Sequence, residues 1–359
     1  MKAPPPLTTG FAGWAKKNLF STWYNSVLTI VGFFIILWMA SGMWQWGVSN
    51  AVFDSTPESC QFEEDVEVGA CWSVVPAMWH VFILGSFPEE EAWRGLLALG
   101  LFFGLVFAAL HPTIRSHKGY LISWAVFPVI GFMLIRGFEP LGLVEVDTMR
   151  WGGLLLTLVL TFVGVLVSFP ISVMLALGRR SKMPIVRSVS VAYIELIRGV
   201  PLITILFMAS VMLPLFFPSG FTMDQVLRAQ IGIIMFAAAY LAEVIRGGLQ
   251  AIPKGQVEAA EALGLSYFQT TVFIVLPQAL KIVIPPLVST FIALLKDTSL
   301  VAIVGLFDLL GAAQITLANN DWLGKVAESY LFAGFLYWAL CFAMSRYSRY
   351  LEQRFNTNR

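Results

Sequence analysis

The chain has 359 residues, of which 58% are hydrophobic and only 13% are charged, and its net charge is +1. Soluble domains carry about a quarter charged residues, so this composition excludes an ordinary soluble enzyme or binding domain. The balanced charge and the lack of basic-aromatic clusters also exclude a nucleic-acid-binding protein. We therefore predict an all-α integral membrane protein.

Eight hydrophobic stretches are long enough to cross a bilayer, which takes about 20 apolar residues. They lie at roughly 25–46, 93–110, 119–137, 150–178, 200–217, 228–249, 282–305 and 328–346. Residues 72–87 are apolar but short, which favours an interfacial or re-entrant segment. The first span resembles a signal peptide, although the tryptophans that follow it suit an uncleaved anchor better.

The charged residues predict the orientation of these spans. Lys16 and Lys17 precede the first span, and the loops 111–118 and 179–187 and the C-terminal tail are basic. Residues 47–92, in contrast, contain nine acidic residues and no Lys or Arg. Because basic loops tend to stay inside the cell, we expect both termini in the cytoplasm and an acidic external loop at about 47–92.

Three cysteines are present. Cys341 falls in the last span, where a packing role is expected. Cys60 and Cys71 fall in the external loop, in a compartment that permits a disulfide. Two isolated cysteines do not decide whether they are bonded, so both alternatives stay open here.

The spans divide the sequence into two parts. Residues 1–149 form an N-terminal transmembrane extension with three spans and the acidic loop, and residues 150–359 form a core with five spans and most of the motifs. The sequence contains no G-x-x-x-x-G-K-[ST] pattern, so the chain has no evident phosphate-binding loop of its own.

Two Glu/Arg pairs occur near span ends in the core. Glu195 and Arg198 are three residues apart, as are Glu243 and Arg246, so each pair shares one helix face and can form an ion pair. For Glu195 the alternative is that its carboxylate faces a polar cavity. For Glu243 and Arg246 the structural interpretation, a pair that anchors the helix, is favoured.

The stretch LLKDTSL at 294–300 places polar residues inside an otherwise apolar span. Ionisable groups at membrane depth are unfavourable and tend to face a cavity or a partner. Lys296 and Asp297 are adjacent and point about 100° apart on a helix, so they are not expected to pair with each other. Asp297, Thr298 and Ser299 are therefore candidates for a solute pathway. The three histidines show no metal-ligand spacing, and no metal site is predicted.

Residues 253–281 form a polar island between two apolar runs, and their pattern predicts a helix-turn-helix. From Val257, the residues Ala259, Ala260 and Leu263 form a small apolar face, and Gly264 is suited to cap the first helix at its C-terminal end. A small face permits close approach of another backbone, so we expect this helix to dock on a partner.

The second arm of this loop has its own start and stop signals. Ser266 and Gln269 form an S-x-x-Q capping box that begins a helix. Pro277 is expected to kink or end that helix.

Four motifs that occur in order along the core carry a resemblance to a known family. They are YIELIRGVPL, AYLAEVIRGGLQAIPKGQVEAAEALGLS, LPQALKIVIPPL and LLKDTSL. The sequence Glu258-Ala259-Ala260 with Gly264 and Leu276-Pro277 resembles the EAA signature of bacterial type I ABC importer permeases, in particular the polar amino acid branch. The match covers about residues 150–350. The three additional N-terminal spans are similar to the M-type permease subunit of general L-amino-acid importers.

The resemblance implies an ATP-driven importer that moves L-amino acids from periplasm to cytoplasm across the bacterial inner membrane by alternating access. The implied partners are a homologous permease subunit in a heterodimer, a cytoplasmic ABC ATPase dimer that binds ATP and Mg, and a periplasmic amino-acid-binding protein. The chain itself would be a transport subunit without a cofactor, and no enzyme. The coupling residues implied by the motif are Gln256, Glu258, Ala259, Ala260, Glu261 and Gly264.

The resemblance also implies a solute pathway, but the motifs for this pathway are less specific than the EAA signature. The resemblance places Glu195 and Asp297 where polar groups of such permeases can contact the solute, and Ser289, Thr298 and Ser299 complete the set of candidates. Ser289 departs from the family pattern, which often has Asn at this position, so the solute specificity can differ or the partner permease can hold the solute.

Two alternatives to this function are disfavoured by the sequence. A secondary transporter driven by an ion gradient is disfavoured because the sequence has no inverted repeat. An intramembrane enzyme is disfavoured because no Ser/His or metal-binding arrangement occurs within the spans. The sequence leaves open which amino acids are carried, and whether the chain pairs with itself or with a relative.

Overall fold

The computed structural model describes residues 10–54, 56, 60, 69–111, 113–114, 117–218 and 222–355. Within these residues the secondary structure is helical apart from isolated β-bridges. Much of the predicted acidic loop, including residues 57–59 and 61–68, lies outside the described residues, as do residues 1–9 and 356–359.

The helices are numbered in chain order. They are α1 (Phe11–Asn18), α2 (Trp23–Trp44, extended by a π-helical turn, Gln45–Ser49), α3 (Val74–Ala77), α4 (Trp79–Leu84), α5 (Ala92–Leu110), α6 (Lys118–Arg136), α7 (Gly153–Arg179), α8 (Pro184–Arg198), α9 (Leu202–Val211), α10 (Gln225–Ala251), α11 (Lys254–Ala262), α12 (Leu276–Ile282), α13 (Ile284–Asp297, extended by a 3-10 turn, Thr298–Val304), α14 (Leu309–Ala318) and α15 (Val326–Phe355).

Seven of the described helices are long and apolar enough to cross a membrane: α2, α5, α6, α7, α10, α13 and α15. Helices α8 and α9 together meet the same test but are bent by 104° at the break between them. If this pair is one span, the count is eight, in agreement with the sequence. The predicted span at 200–217 was placed too late, because the apolar helix α9 ends at Val211 and the preceding arm begins at Pro184.

Residues 72–87 contain only the short helices α3 and α4. Neither approaches the length of about 20 residues that a membrane crossing takes. The interpretation of this segment as something other than a full span is therefore consistent with the structure.

The described residues divide into two compact units. The first comprises the described residues within Met1–Ala77 and Asp321–Glu328. Its long helix α2 begins at Thr22, whose side chain accepts a hydrogen bond from the backbone N–H of Asn25. No residue of α2 is buried, and its apolar side chains are exposed along the whole helix, which suits a surface in contact with lipid.

In this first unit Cys60 and Cys71 form a disulfide, with their Cα atoms 6.0 Å apart. The segment 321–328 holds the backbone of both cysteines. The Lys325 ammonium group donates a hydrogen bond to the Cys60 carbonyl at 3.0 Å, and the buried Glu328 carboxylate accepts one from the Cys71 N–H at 2.8 Å. Burial lowers the pKa of Lys325.

The second unit comprises Met78–Asn320 and Ser329–Arg359. At its centre α7 packs along α10, and these two helices bury the largest share of their residues of any of the spans. One hydrophobic core lies around the N-terminal half of α7, and a second core joins its C-terminal half to α10 and α12. Helices α5 and α6, which belong to the predicted N-terminal extension, are part of this unit. The predicted boundary between extension and core at 149/150 stays a prediction.

Candidate functional site

The loop between α10 and α13 folds as the predicted helix-turn-helix. Its first helix, α11, ends at Gly264, whose φ of 75° lies in the left-handed region. The Gly264 N–H bonds to the Glu261 carbonyl at 2.9 Å, and the Leu265 N–H bonds to the Ala260 carbonyl at 3.1 Å. These two bonds form a Schellman cap, which is most stable with glycine because glycine has no Cβ to clash in this conformation.

The two sides of α11 differ in what they contact. Ala260 is buried, and Val257 is half-buried against the core that contains α10 and α12. Glu258, Ala259 and Leu263 are exposed, Leu263 to 81%. The small face predicted from the sequence is therefore divided. Ala260 packs within the chain because its short side chain permits close approach, and the outward surface consists of the other residues.

The second arm begins with the predicted capping box. The Ser266 hydroxyl accepts a hydrogen bond from the Gln269 N–H, and the Gln269 side-chain oxygen accepts one from the Ser266 N–H at 2.9 Å. The helix then widens into a π-helical turn, Thr270–Val275, before α12. Helical backbone continues through Pro277, so the expectation that this proline could end the helix is wrong. The wider π-helical turn lies just before Pro277, which has no backbone N–H to donate.

The two arms are joined by a side-chain hydrogen bond. The Gln278 amide nitrogen donates to the Gln256 side-chain oxygen at 3.1 Å and also to the Ile274 carbonyl at 2.8 Å. The outward surface of the second arm adds exposed aromatic side chains, Tyr267, Phe268 and Phe273. We call the exposed residues Glu258, Ala259, Glu261, Leu263, Tyr267 and Phe268 the loop surface.

Near this loop, an ion-pair cluster joins the ends of α7, α8 and α10. At its centre is Glu243, whose side chain is 14% exposed. Its carboxylate lies 2.8 Å from Arg246, 3.2 Å from Arg179 and 3.6 Å from Arg198. The Arg198 guanidinium also lies over the Tyr240 ring, at 5.4 Å from its centroid.

The cluster corrects one of the two predicted ion pairs. Glu243 and Arg246 pair as predicted. Glu195, however, bonds to Arg179 at 2.8 Å, and Arg198 is drawn to Glu243 instead. The spacing of Glu195 and Arg198 permits an ion pair within α8. In the structure, however, the two carboxylates and three guanidinium groups of the cluster pair mainly between helices. The sequence did not predict Arg179 as an ion-pair partner, because Glu195 and Glu243 are distant from it in sequence. Its position at the end of a long apolar run was the available signal.

Apart from Glu195 on α8, the candidate solute residues lie along α13 and the turn that follows it. Ser289 is exposed, whereas Asp297 and Ser299 are half-buried and Thr298 is fully buried. The Asp297 carboxylate forms no hydrogen bond or ion pair within the described part of the chain. The hydroxyl of Thr298 donates to the Leu295 carbonyl at 2.8 Å, so this residue is used internally. The structure thus leaves Asp297 available to a ligand and places Thr298 in the protein interior.

A buried polar network around Asp308 was not predicted. The Asp308 carboxylate begins α14 by accepting the Gly311 N–H at 3.1 Å, and it accepts the Tyr337 hydroxyl at 2.5 Å. The Thr298 hydroxyl lies 3.4 Å from it. Burial raises the pKa of Asp308. An aspartate directly before an apolar helical stretch was the available sequence signal.

A cavity of about 90 Å³ between α5, α6 and α7 is lined by apolar side chains such as Phe102, Phe127 and Leu155, and offers no groups to hold an amino acid. In the part of the chain that the structure describes, no group of three or more His, Cys, Asp or Glu residues could hold a metal ion.

Comparison with known families places this architecture. The model of the family described as "binding-protein-dependent transport system inner membrane component" matches residues 168–357, more than half of the chain, and this range contains the helix-turn-helix loop. The chain belongs to this family.

Two relatives of this inner-membrane transport component match nearly the whole length of the chain. It is 49% identical over 350 residues to the inner membrane amino-acid ABC transporter permease protein YhdY of Escherichia coli K12, covering 96% of this chain and 93% of the relative. It is 38% identical over 422 residues to the glutamate/glutamine/aspartate/asparagine transport system permease protein BztC of Rhodobacter capsulatus, covering 99% and 96%.

The fold is also similar to that of a solved structure, an amino acid ABC transporter with histidines. The TM-score is 0.51 at 31% sequence identity, and the match covers 56% of this chain and 92% of that chain. The predicted family and the predicted membrane fold are thus confirmed. The family consists of transport components, and nothing in these comparisons favours an enzyme or an ion-gradient carrier.

Proposed function

We propose that this permease subunit imports L-amino acids by alternating access, powered by a separate ABC ATPase that binds ATP and Mg. In this proposal a periplasmic binding protein delivers the amino acid, and a homologous permease subunit completes the pathway as a heterodimer. The names of the full-length relatives support an amino acid as cargo. We place the subunit in the bacterial inner membrane with both termini in the cytoplasm.

The observation that carries the proposal is the loop surface. A capped helix with exposed charged, small and apolar residues is fixed to the protein core by Val257 and Ala260 on its other side. A force applied to the loop surface would therefore be transmitted to α10 and α12, which share that core. We assign the coupling contact with the ATPase to Gln256, Glu258, Ala259, Ala260, Glu261 and Gly264, with Ala260 acting from the buried side.

The test is Gly264→Leu in the complete transporter, reconstituted in proteoliposomes. A left-handed conformation is unfavourable by about 1–2 kcal/mol for a residue with a Cβ, so we expect coupled amino acid uptake to fall at least about fivefold. Membrane insertion should be unchanged, because a Cβ at Gly264 would meet no atom of this chain within 4 Å. Uptake and ATP hydrolysis are measured together.

Gly255→Leu is the matched control. Gly255 lies in the same helix, is equally open, and has no left-handed φ. We expect nearly normal coupling in this variant. Normal uptake by Gly264→Leu would refute the docking role, and an equal loss in both variants would assign the effect to side-chain bulk at the ATPase contact.

For the solute pathway we propose Asp297 as the principal residue, with Glu195, Ser289 and Ser299 as further candidates. Asp297 is a half-buried carboxylate within a span and has no ion-pair partner among the described residues, so it is available to the ammonium group of an amino acid. Thr298 is more suited to hold the turn after α13, because its hydroxyl is buried and bonded internally.

Asp297→Asn should raise the KM for uptake about tenfold, because a charge-assisted hydrogen bond contributes about 1.5–3 kcal/mol. Coupling to ATP hydrolysis should be preserved. Glu139→Gln, which removes an exposed carboxylate outside the spans, is the control. Unchanged uptake kinetics in Asp297→Asn would remove this residue from the pathway.

A further inference from the structure

A cavity of about 490 Å³ lies among the ends of α7, α8 and α10, beside the ion-pair cluster. It is lined by four arginines and two other residues, namely Arg179, Arg180, Arg187, Arg246, Val191 and Gln250. Neither the family nor the proposed transport function assigns a role to this cavity.

The positive charge around the cavity exceeds the negative charge available to it. The carboxylates of Glu243 and Glu195 are already engaged with Arg179, Arg198 and Arg246. Two further arginines have no carboxylate partner within the described residues. The guanidinium of Arg180 donates to the Leu249 carbonyl at 2.7 Å, and the guanidinium of Arg187 forms no hydrogen bond or ion pair within the described residues. The cavity thus has the charge to bind an anion.

The position of the cavity identifies the source of that anion. It lies where α7 ends at Arg179, where α8 begins at Pro184, and close to the end of α10 at Ala251. Membrane-crossing helices meet the headgroup layer at their ends, and basic pockets between such helices bind the headgroups of anionic lipids. Planar guanidinium groups match the oxygens of a phosphate two at a time.

The first turns of α8 provide a surface for the lipid chains. Ile185 and Val189 are four residues apart on one helix face and are 77% and 65% exposed, and Met183 just before them is 60% exposed. Arg187, two residues from each, points to the other side of the helix and lines the cavity. Apolar side chains beside a basic face are typical of a segment at the membrane surface.

We propose that this cavity binds the phosphate group of an anionic membrane phospholipid, held principally by Arg180 and Arg187, with the acyl chains against Met183, Ile185 and Val189. The bound lipid would lie beside the cluster that joins α7, α8 and α10. The inference does not depend on which solute the permease carries.

The test is a titration of the purified full-length chain in detergent with phosphatidylglycerol, with bound lipid counted by native mass spectrometry. A basic residue near a headgroup contributes about a fivefold gain in affinity. We expect Arg187→Gln to weaken the first bound lipid about fivefold and Arg180→Gln with Arg187→Gln to weaken it on the order of 25-fold. Because the Arg187 side chain has no partner among the described residues, its single variant should unfold at the wild-type temperature.

Lys182→Gln and Arg349→Gln are the controls. Both remove an exposed positive charge, and neither residue lines the cavity. We expect less than about a twofold change in either, since exposed charges are screened by salt. Equal losses in the controls, or unchanged binding in the double variant, would overturn the site.

Two further measurements identify the source of the anion. Inorganic phosphate should displace the lipid no better than chloride at equal ionic strength. Stronger displacement by phosphate would show a site for a free anion and would overturn the lipid assignment. Displacement of the lipid by added ATPase subunit would assign the cavity to the protein partner and overturn the proposal as well.

Discussion

At the scale of single residues, Asp308 shows how a buried carboxylate can serve the fold without a countercharge. It is fully buried and receives the Gly311 N–H and the Tyr337 hydroxyl, which link the start of α14 to the last membrane helix. Burial raises its pKa, so the folded protein favours the neutral acid more than the unfolded chain does. The hydrogen bonds of this group thus stabilise the fold while its charge opposes it.

This balance gives a prediction with a pH dependence. A raised folded-state pKa contributes stability below the unfolded pKa, and this contribution is lost as pH rises through the folded pKa. Asp308→Asn keeps the side-chain shape and one acceptor oxygen without titrating, so its stability relative to wild type should improve from acid to neutral pH. Asp308→Ala should lose about 2 kcal/mol or more, because it leaves buried donors unpaired. Thermal unfolding in detergent across this pH range measures both, and equal losses in both variants would show that the charge itself is required.

At the scale of helices, local signals predicted the elements well and their partners poorly. The Ser266 capping box and the Gly264 cap were predictable, since each depends on residues three to five positions apart. The bend between α8 and α9 had a signal too, because Pro201 disfavours helical backbone at the residue before it. The predicted span, however, began at residue 200 and left out α8, and the bend of 104° is visible only in the structure.

The ion-pair cluster shows why contacts between helices escape such rules. Glu243 receives Arg246 from its own helix, which spacing predicts, and Arg179 and Arg198 from two others, which it does not. Helix packing brings these groups together, and the sequence does not reveal which helices pack. For the same reason the division of the small face of α11, with Ala260 inside and Leu263 outside, could not be predicted.

At the scale of the whole molecule, composition and span length were decisive for the fold class. Lipid forces backbone groups to bond within each segment, so apolar stretches of the right length become helices with few alternatives. The described part of the chain contains the predicted number of spans when α8 and α9 are counted together. The orientation of these spans in the membrane is predicted only from the distribution of charged residues. Arg180, Arg187 and Gly255 should all lie on the cytoplasmic side, and the segment that contains Glu139 should face the periplasm.

Single cysteines introduced at Gly255 and Glu139 test this orientation. Both positions are exposed, and the background Cys341→Ser removes the free thiol of the described residues. A membrane-impermeant thiol reagent applied to intact spheroplasts should label Glu139→Cys and leave Gly255→Cys unlabelled until the membrane is permeabilised. The reverse pattern would place the loop surface outside the cell. It would then be out of reach of any cytoplasmic ATPase, and the coupling proposal would fail even if Gly264→Leu abolished uptake, since the loss would need another cause.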